Sequence, residues 1–297
     1  MTARIAVTGA NGFLGSEICA ALKDFHVTAL VRRNADCERL KKISAHAEIN
    51  FLDDDWSNVG EALATTKPDV TIHAAAAMDG GDDIKAARNL ATVNILQPTL
   101  LLAAAKAVGC KGFVTVGTAW QHWDDSDYNP MNLYAASKQA FDDILRYYGE
   151  SGMAAVTVHM CDTYGLQDPR SKLIQLLFHL ARSGETLAMT PGQQEIDLVH
   201  VSDAAEAYAG ITKKILSGEI SGFNRFDISG GAIRPLKQLV GLMEKVTGKT
   251  LSITWGGKDY RPREMMHARR RLTLPPGWLP VMELEKGLTQ VWQEKNS

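Results

Sequence analysis

Short apolar runs alternate with longer stretches of helical spacing through the first half of the chain. Residues 4–8, 26–31, 47–51, 70–74, 113–116 and 155–160 read as β-strands. Between them lie amphipathic stretches. The run 84–108 carries Leu90, Val93, Leu96, Leu100, Leu101 and Ala104 at helical spacing and predicts one long helix; 131–149 predicts another. Strict alternation of β and α predicts an α/β fold of Rossmann type: a doubly wound parallel sheet with helices on both faces. After Tyr164-Gly165 the regularity weakens. A helix over 172–183, strands over 186–189 and 196–199, a helix over 202–217, a strand over 224–228 and a helix over 236–247 are expected. This pattern divides the chain into a dinucleotide-binding domain, 1–165, with 196–218 returning to it. A smaller C-terminal substrate-binding lobe takes 166–195 and 219–297.

Composition narrows the class. The chain has 297 residues, 45% hydrophobic and 22% charged, in the range of a soluble globular protein. A net charge of −2 gives no global attraction to nucleic acid or to an anionic membrane. No apolar run reaches the roughly 18 residues of a membrane span. Cys19, Cys37, Cys110 and Cys161 are scattered and read as reduced thiols. The first strand starts so close to Met1 that no leader is expected, and the expected compartment is cytoplasmic. The 8 histidines form no metal-ligand array, so no metal is expected.

Chemistry enters at Val7-Thr8-Gly9-Ala10-Asn11-Gly12-Phe13-Leu14-Gly15, between the first strand and the first helix. Glycines at such a turn let backbone N–H groups approach a pyrophosphate, and the helix N-terminus adds partial positive charge. Gly9, Asn11, Gly12, Phe13, Leu14 and Gly15 are therefore the expected cofactor cradle. The second strand ends Leu30-Val31-Arg32-Arg33, with no acid to hold the adenosine ribose hydroxyls. The planar fork of arginine suits a 2′-phosphate, so Arg32 and Arg33 predict NADP (as NADPH), with NAD the alternative.

Tyr134-Ala135-Ala136-Ser137-Lys138 places a phenol and an ammonium four residues apart, on one helix face. A free phenol titrates near ~10, and a neighbouring ammonium and a helix N-terminus are expected to lower that value. Taken alone, such a spacing describes a packed aromatic beside a solvated lysine. Here it follows a glycine turn and a strand ending Val116-Gly117-Thr118, whose hydroxyl lies beyond the carboxyl end, where ligands of open parallel sheets bind. Thr118, Tyr134 and Lys138 are the expected catalytic set, with proton transfer between Tyr134 and a carbonyl/alcohol pair.

These motifs resemble the extended short-chain dehydrogenase/reductase family, in its NAD(P)-dependent nucleotide-sugar epimerase/dehydratase branch. The resemblance runs nearly the whole length, through Pro68–Ala76, Asn94, Asp162-Thr163-Tyr164-Gly165 and Gly192–Asp203. It implies that Asp53 bonds the adenine amine, and that Ala74, Ala75, Ala76 and Asn94 line the dinucleotide. It also implies that Lys138 holds the nicotinamide ribose with Tyr134. For the substrate, a nucleoside-diphosphate sugar, it implies contacts from Thr118, Asp162, Lys172 and Arg261. Departures matter: Ala119-Trp120 stands where sugar dehydratases carry Asp-Glu, His159 where an arginine is usual, Asp162 for asparagine and Ile196 for arginine. The short segment from Thr118 to Tyr134 and Gln193–Asp197 look most like sugar 4-ketoreductases of the CDP-abequose synthase type. The implied activity is NADPH-dependent reduction of a nucleotide-linked 4-keto-6-deoxy sugar, in surface polysaccharide or secondary-metabolite biosynthesis. An epimerase that retains its NAD and a non-enzymatic NADP-binding sensor are the alternatives.

A homodimer is expected from the helices 84–108 and 131–149. Both carry apolar residues beyond one stripe (Leu101, Leu102, Phe141, Ile144 and Leu145), enough for a two-fold, four-helix contact. Asp54, Asp55 and Arg269-Arg270-Arg271 are read as turn residues, the arginines with phosphate contact as the other reading.

Overall fold

The computed structural model describes residues 2–294. Its first half is a continuous alternation: β1 (Arg4–Thr8), α1 (Phe13–Ala21), β2 (His26–Arg32), α2 (Glu38–Ile43), β3 (Glu48–Leu52), α3 (Val59–Thr66), β4 (Val70–His73), α4 (Ile84–Ala91), α5 (Gln97–Ala107), β5 (Gly112–Thr118), α6 (Leu133–Glu150) and β6 (Ala154–Met160). The elements then shorten: β7 (Asp162–Tyr164), α7 (Leu173–Ser183), β8 (Leu187–Met189), β9 (Glu195–Ile196), β10 (Leu198–His200), α8 (Val201–Ser217), β11 (Phe223–Ile228), β12 (Arg234–Pro235), α9 (Leu236–Thr247), β13 (Ile253–Trp255) and α10 (Leu284–Glu294).

Seven parallel strands form the main sheet in the order β11-β6-β5-β4-β1-β2-β3. The order reverses between β1 and β4, which opens a crevice at their carboxyl ends. Period-2 alternation divides the core. Ile5 and Val7 join Ile18, Tyr208 and Ile211 on the face covered by α1 and α8. Ala6 turns to the other face, with Leu63, Leu101, Phe141 and Leu145 from α3, α5 and α6. Each such side chain contributes roughly 1.5–3 kcal/mol by leaving water. A third core joins α7, α9 and α10 through Leu177, Phe178, Leu239, Met243 and Leu288. Around it lie three two-stranded pairs: β10 with β7, β12 with β9, and β13 with β8.

Two expectations need correction. The strand foreseen at 224–228 belongs to the main sheet and not to the smaller lobe. It pairs with β6 from Phe223↔Ala155 to Ile228↔Met160. Without it β6 would present a row of unpaired backbone groups; an apolar strand pattern does not say which neighbour it joins. The single helix foreseen over 84–108 is broken by a π turn, Thr92–Leu96, between α4 and α5. The run Ile84–Ala107 holds an 18-residue window of mean hydropathy 1.3, long and apolar enough by composition to cross a membrane, yet it packs as a layer against α3 and α6. The apolar residues invoked for a dimer contact are mostly interior: Leu101, Leu102, Phe141 and Leu145 are buried, and Ile144 packs against them. On these helices Ile84, Leu96, Leu100, Leu133 and Tyr147 are the exposed large apolar side chains.

Candidate active site

The glycine turn leaves β1 at the switch point. Gly9 adopts φ +65°, and a Cβ there would meet Ala75 N at 2.5 Å. A Cβ on Gly15 would overlap the Gly9 carbonyl oxygen. Only glycine fits either position. Gly12 is the N-cap of α1 and supplies no side-chain cap, so the N–H groups of the first turn stand without one. Ala74 donates its N–H to Thr8 O at 3.1 Å, setting the Ala74–Ala76 segment beside the turn. Below it, Thr8 Oγ1 and His73 Nδ1 lie 2.8 Å apart, joining the ends of β1 and β4. Burial, aided by the charge of Lys138, pushes the His73 pKa well down, so the ring is neutral. Asn11 Nδ2 donates to Asp36 O (3.2 Å). Leu14 packs on the core. Phe13 is buried between the guanidinium groups of Arg39 and Arg170, whose carbons lie 5.1 and 4.4 Å from its ring centre.

At the far end of β2, Arg33 Nε bonds Asp53 Oδ1 at 2.7 Å, while Arg32 is exposed. Two residues assigned separately to the adenosine end are thus partners. Asp55 caps Ser57 N–H at 3.0 Å. Asn94 sits in the π turn, a feature frequent at functional sites, and is buried. Its amide accepts from Ala77 N (2.9 Å) and donates to Ala77 O (3.0 Å) and Ser137 Oγ (3.0 Å). It clamps the loop after β4 onto α6.

The helix α6 begins one turn before Lys138. Its N-cap is Asn132, whose side chain accepts from Ala135 N (2.9 Å). Tyr134 and Lys138 are both buried, and Trp120 packs edge-on against Tyr134 with ring centres 6.3 Å apart. The phenol is not acidified as the sequence suggested. Burial, with a further push from the Asp162 carboxylate, raises its pKa to about 12. Burial also brings Lys138 down to about 8, against the opposing pull of Asp142. Desolvation dominates both shifts because both groups are cut off from water. Tyr134 is therefore a protonated phenol at neutral pH. Thr118 Oγ1 accepts from Trp120 N (3.3 Å), a bond that does not use its own O–H donor.

Asp162 and Lys172, both expected at the substrate, form an ion pair of 3.1 Å. Arg261 is exposed, its carbonyl accepting from Glu264 N (3.0 Å). Its neighbours are pinned: Tyr260 Oη accepts from Gln193 N (3.0 Å), and Arg263 bonds Asn129 and lies 4.2 Å from the Trp123 ring centre. Arg269 is largely buried, whereas Arg270 and Arg271 stay exposed to solvent, and all three have carboxylate partners. They pair with Asp227 (2.8 Å), Glu195 (2.7 Å) and Asp125 (3.6 Å). Among the described residues no group of three His, Cys, Asp or Glu side chains forms a metal site, and the four cysteines are free thiols.

Sequence reasoning missed a buried polar network behind Thr118. Gln121, His122, Gln139, Asp142, His159 and Asp227 are all buried. The signal was present at Asp142, four residues past Lys138 on the same helix face. Gln121 and His159 join it only through the fold.

Residues 5–222 match the model of the NAD dependent epimerase/dehydratase family. The chain is 23% identical to CDP-abequose synthase of Yersinia pseudotuberculosis, over 91% of this chain and 96% of that one. It is 26% identical to dTDP-glucose 4,6-dehydratase of Streptomyces griseus, over 100% and 95%. In fold it is similar to UDP-glucose 4-epimerase of Thermotoga maritima solved with UDP-glucose (TM-score 0.84, 20% identity, 99% and 100% covered). The same holds for the Stenotrophomonas maltophila UDP-glucose-4-epimerase solved with NAD and a formylated UDP-arabinopyranose (TM-score 0.87, 16% identity, 100% and 98% covered). Family model, fold and glycine turn converge: the chain belongs to the NAD dependent epimerase/dehydratase family and is an extended short-chain dehydrogenase/reductase.

Proposed function

We propose that the protein reduces the C4 ketone of a nucleotide-linked 4-keto-6-deoxy sugar with NADPH. One observation supports this reading: Trp120, whose backbone N–H bonds the Thr118 hydroxyl, packs edge-on against Tyr134, a protonated buried phenol one helical turn from the buried Lys138, and Ala119-Trp120 stands after Thr118 in place of an acid–base pair. Such a site can protonate a carbonyl oxygen but has no carboxylates directly after Thr118 to expel water from a sugar.

The turn at Gly9–Gly15 fits a dinucleotide: its glycines admit no Cβ, and the first-turn N–H groups of α1 have no side-chain cap. Its backbone would hold the diphosphate, Arg32 and Arg33 the 2′-phosphate, Asp53 the adenine amine, and Lys138 the nicotinamide ribose. When bound, the nicotinamide supplies a hydride to the carbonyl carbon. Thr118 and Tyr134 then donate hydrogen bonds to the oxygen as negative charge develops on it, where stabilisation accelerates the step. Tyr134 passes its phenolic proton to that oxygen, and the Lys138 ammonium stabilises the phenolate left behind. Asp162, Lys172 and Arg261 would hold the nucleoside-diphosphate sugar against the α7–α9–α10 lobe.

The test is a panel of 4-keto nucleotide sugars assayed for NADPH oxidation. Turnover of at least one is expected. Dinucleotide co-purifying with the protein, with interconversion of nucleotide sugars and no net NADPH use, would make it an epimerase. We also propose a homodimer through the faces of α4, α5 and α6 that expose Leu96, Leu100 and Tyr147. Light scattering at micromolar concentration checks it, and a monomer refutes it.

A further inference from the structure

Thr118 is held from behind by a single side chain. Gln121 Oε1 accepts the Thr118 backbone N–H at 2.9 Å, while Gln121 Nε2 donates to Asp142 Oδ2 (3.1 Å) and Gln139 Oε1 (3.2 Å). Asp142 and Gln139 are on α6, the helix that carries Tyr134 and Lys138. One amide thus ties the exit of β5 to the helix of the phenol and the ammonium. Asp142 is in turn fixed by Thr157 Oγ1 (2.7 Å) and by His159 Nε2 (3.3 Å). His122 Nδ1 faces the Ser126 carbonyl (3.0 Å) and donates to it, so its Nε2 accepts from His159 Nδ1 (3.1 Å). His159 lies between the Asp142 and Asp227 carboxylates, which favour its protonated form. Gly117 makes the assembly possible: a Cβ there would lie 2.6 Å from His159 Cδ2 and 3.0 Å from Gln121 Oε1.

We propose that Gln121 and Asp142 are positioning residues, Gln121 fixing the Thr118 turn from Asp142, and Asp142 standing as the fixed negative neighbour of Lys138 one helical turn away. This rests on the reading of Thr118, Tyr134 and Lys138 as the catalytic set. Neither residue touches substrate; each acts through another. The ionisable groups around Lys138 are Asp142 and Tyr134 on α6 and His73 on β4. Those around Asp142 are His159 on β6 and Arg225 on β11 (3.8 Å), with Asp227 and Arg269 behind His159. Burial opposes the charge of His159, but its bonds to Asp142 and Asp227 hold its pKa above the ordinary value; burial likewise opposes the charge of Asp142, but His159, Thr157 and Arg225 hold its pKa below the ordinary value.

The test reads the network without substrate, in intact protein labelled at threonine amide and lysine Nζ nitrogens. In Gln121→Met, which keeps the length and removes both hydrogen-bonding atoms, the Thr118 amide is expected to exchange at least ~10-fold faster, with the Lys138 midpoint unmoved. In Asp142→Asn the Lys138 midpoint is expected to fall below about 8. Should Asp142→Asn not fold, Asp142→Glu displaces the carboxylate by one methylene and is expected to shift the midpoint. An unchanged Thr118 amide in Gln121→Met, or a Lys138 midpoint that no Asp142 variant moves, overturns the proposal. With a substrate in hand, Gln121→Met is expected to lower kcat by ~10- to 100-fold at nearly constant KM. If the amide and midpoint respond as expected but Tyr134→Phe is fully active on an accepted substrate, the network stands and the catalytic reading fails.

Discussion

The glycine turn after β1 and the turn after β5 both lie at the carboxyl end of a parallel strand, where we propose the site, yet they are built by opposite means. At the first, the backbone itself is the instrument. Gly9 and Gly15 are required because any Cβ would strike Ala75 or the Gly9 carbonyl. At the second, side chains do the holding: Thr118 is fixed by Gln121, and Gln121 by Asp142 on another helix. A backbone-built site tolerates almost no substitution and needs no partners. A side-chain-built site can be tuned, but it fails when a remote group is lost.

That contrast can be broken from either side. The largest effect is expected at the glycine turn: Gly15→Ala should weaken NADPH binding by ~100-fold or more, about 2.7 kcal/mol, and lower Tm. Dinucleotide fluorescence and thermal melts would show it, and near-native affinity would mean that the turn is not the cradle. Next, Tyr134→Phe removes one proton donor and keeps the ring. It should lower kcat by ~10²–10⁴-fold while leaving NADPH affinity nearly intact. Comparable loss of both would place Tyr134 with the cradle and erase the distinction.

A third prediction concerns stability. Lys138 is buried and its pKa is depressed to about 8 from an ordinary 10.5. Between those values the unfolded chain binds the extra proton, so this group makes stability rise with pH there, and below about 8 its buried charge is a constant cost. Lys138→Met should therefore flatten that rise and stabilise the fold at neutral pH, by up to about 3 kcal/mol. Denaturant melts at several pH values would decide it; a destabilised variant with the slope retained would contradict the assignment. The smallest effect is expected at the adenosine end. Asp53→Ala releases Arg33 from an exposed ion pair worth at most about 1 kcal/mol, and should raise the NADPH-over-NADH preference several-fold. A ratio unchanged in this variant and in Arg33→Ala would detach both residues from the cofactor.

Much of this was legible before any coordinates. The strand starts fell within a residue or two for the six strands of the first half, because buried parallel strands are short apolar runs set between helical spacings. The long apolar pattern at 84–108 concealed its π turn, since hydrophobic spacing is nearly blind to one inserted residue. The run Phe223–Ile228 was recognised as a strand and misplaced, because pairing is a property of the partner's free edge. Spacing put Tyr134 and Lys138 on one helix, as the structure has them, but their ionisation was misjudged: burial of the pair, invisible in a four-residue motif, reverses the direction expected for the phenol.

Local rules fixed whatever depends on neighbours in the chain: the alternation of elements, the glycines of the first turn, and the Tyr-Lys face of α6. The tertiary structure alone decided which groups from β5, α6, β6 and β11 meet behind Thr118, and which of them carry charge. Gln121, Asp142, His159 and Asp227 lie far apart in sequence, and burial acts on a side chain only once the sheet has brought its partners within hydrogen-bond reach and excluded water.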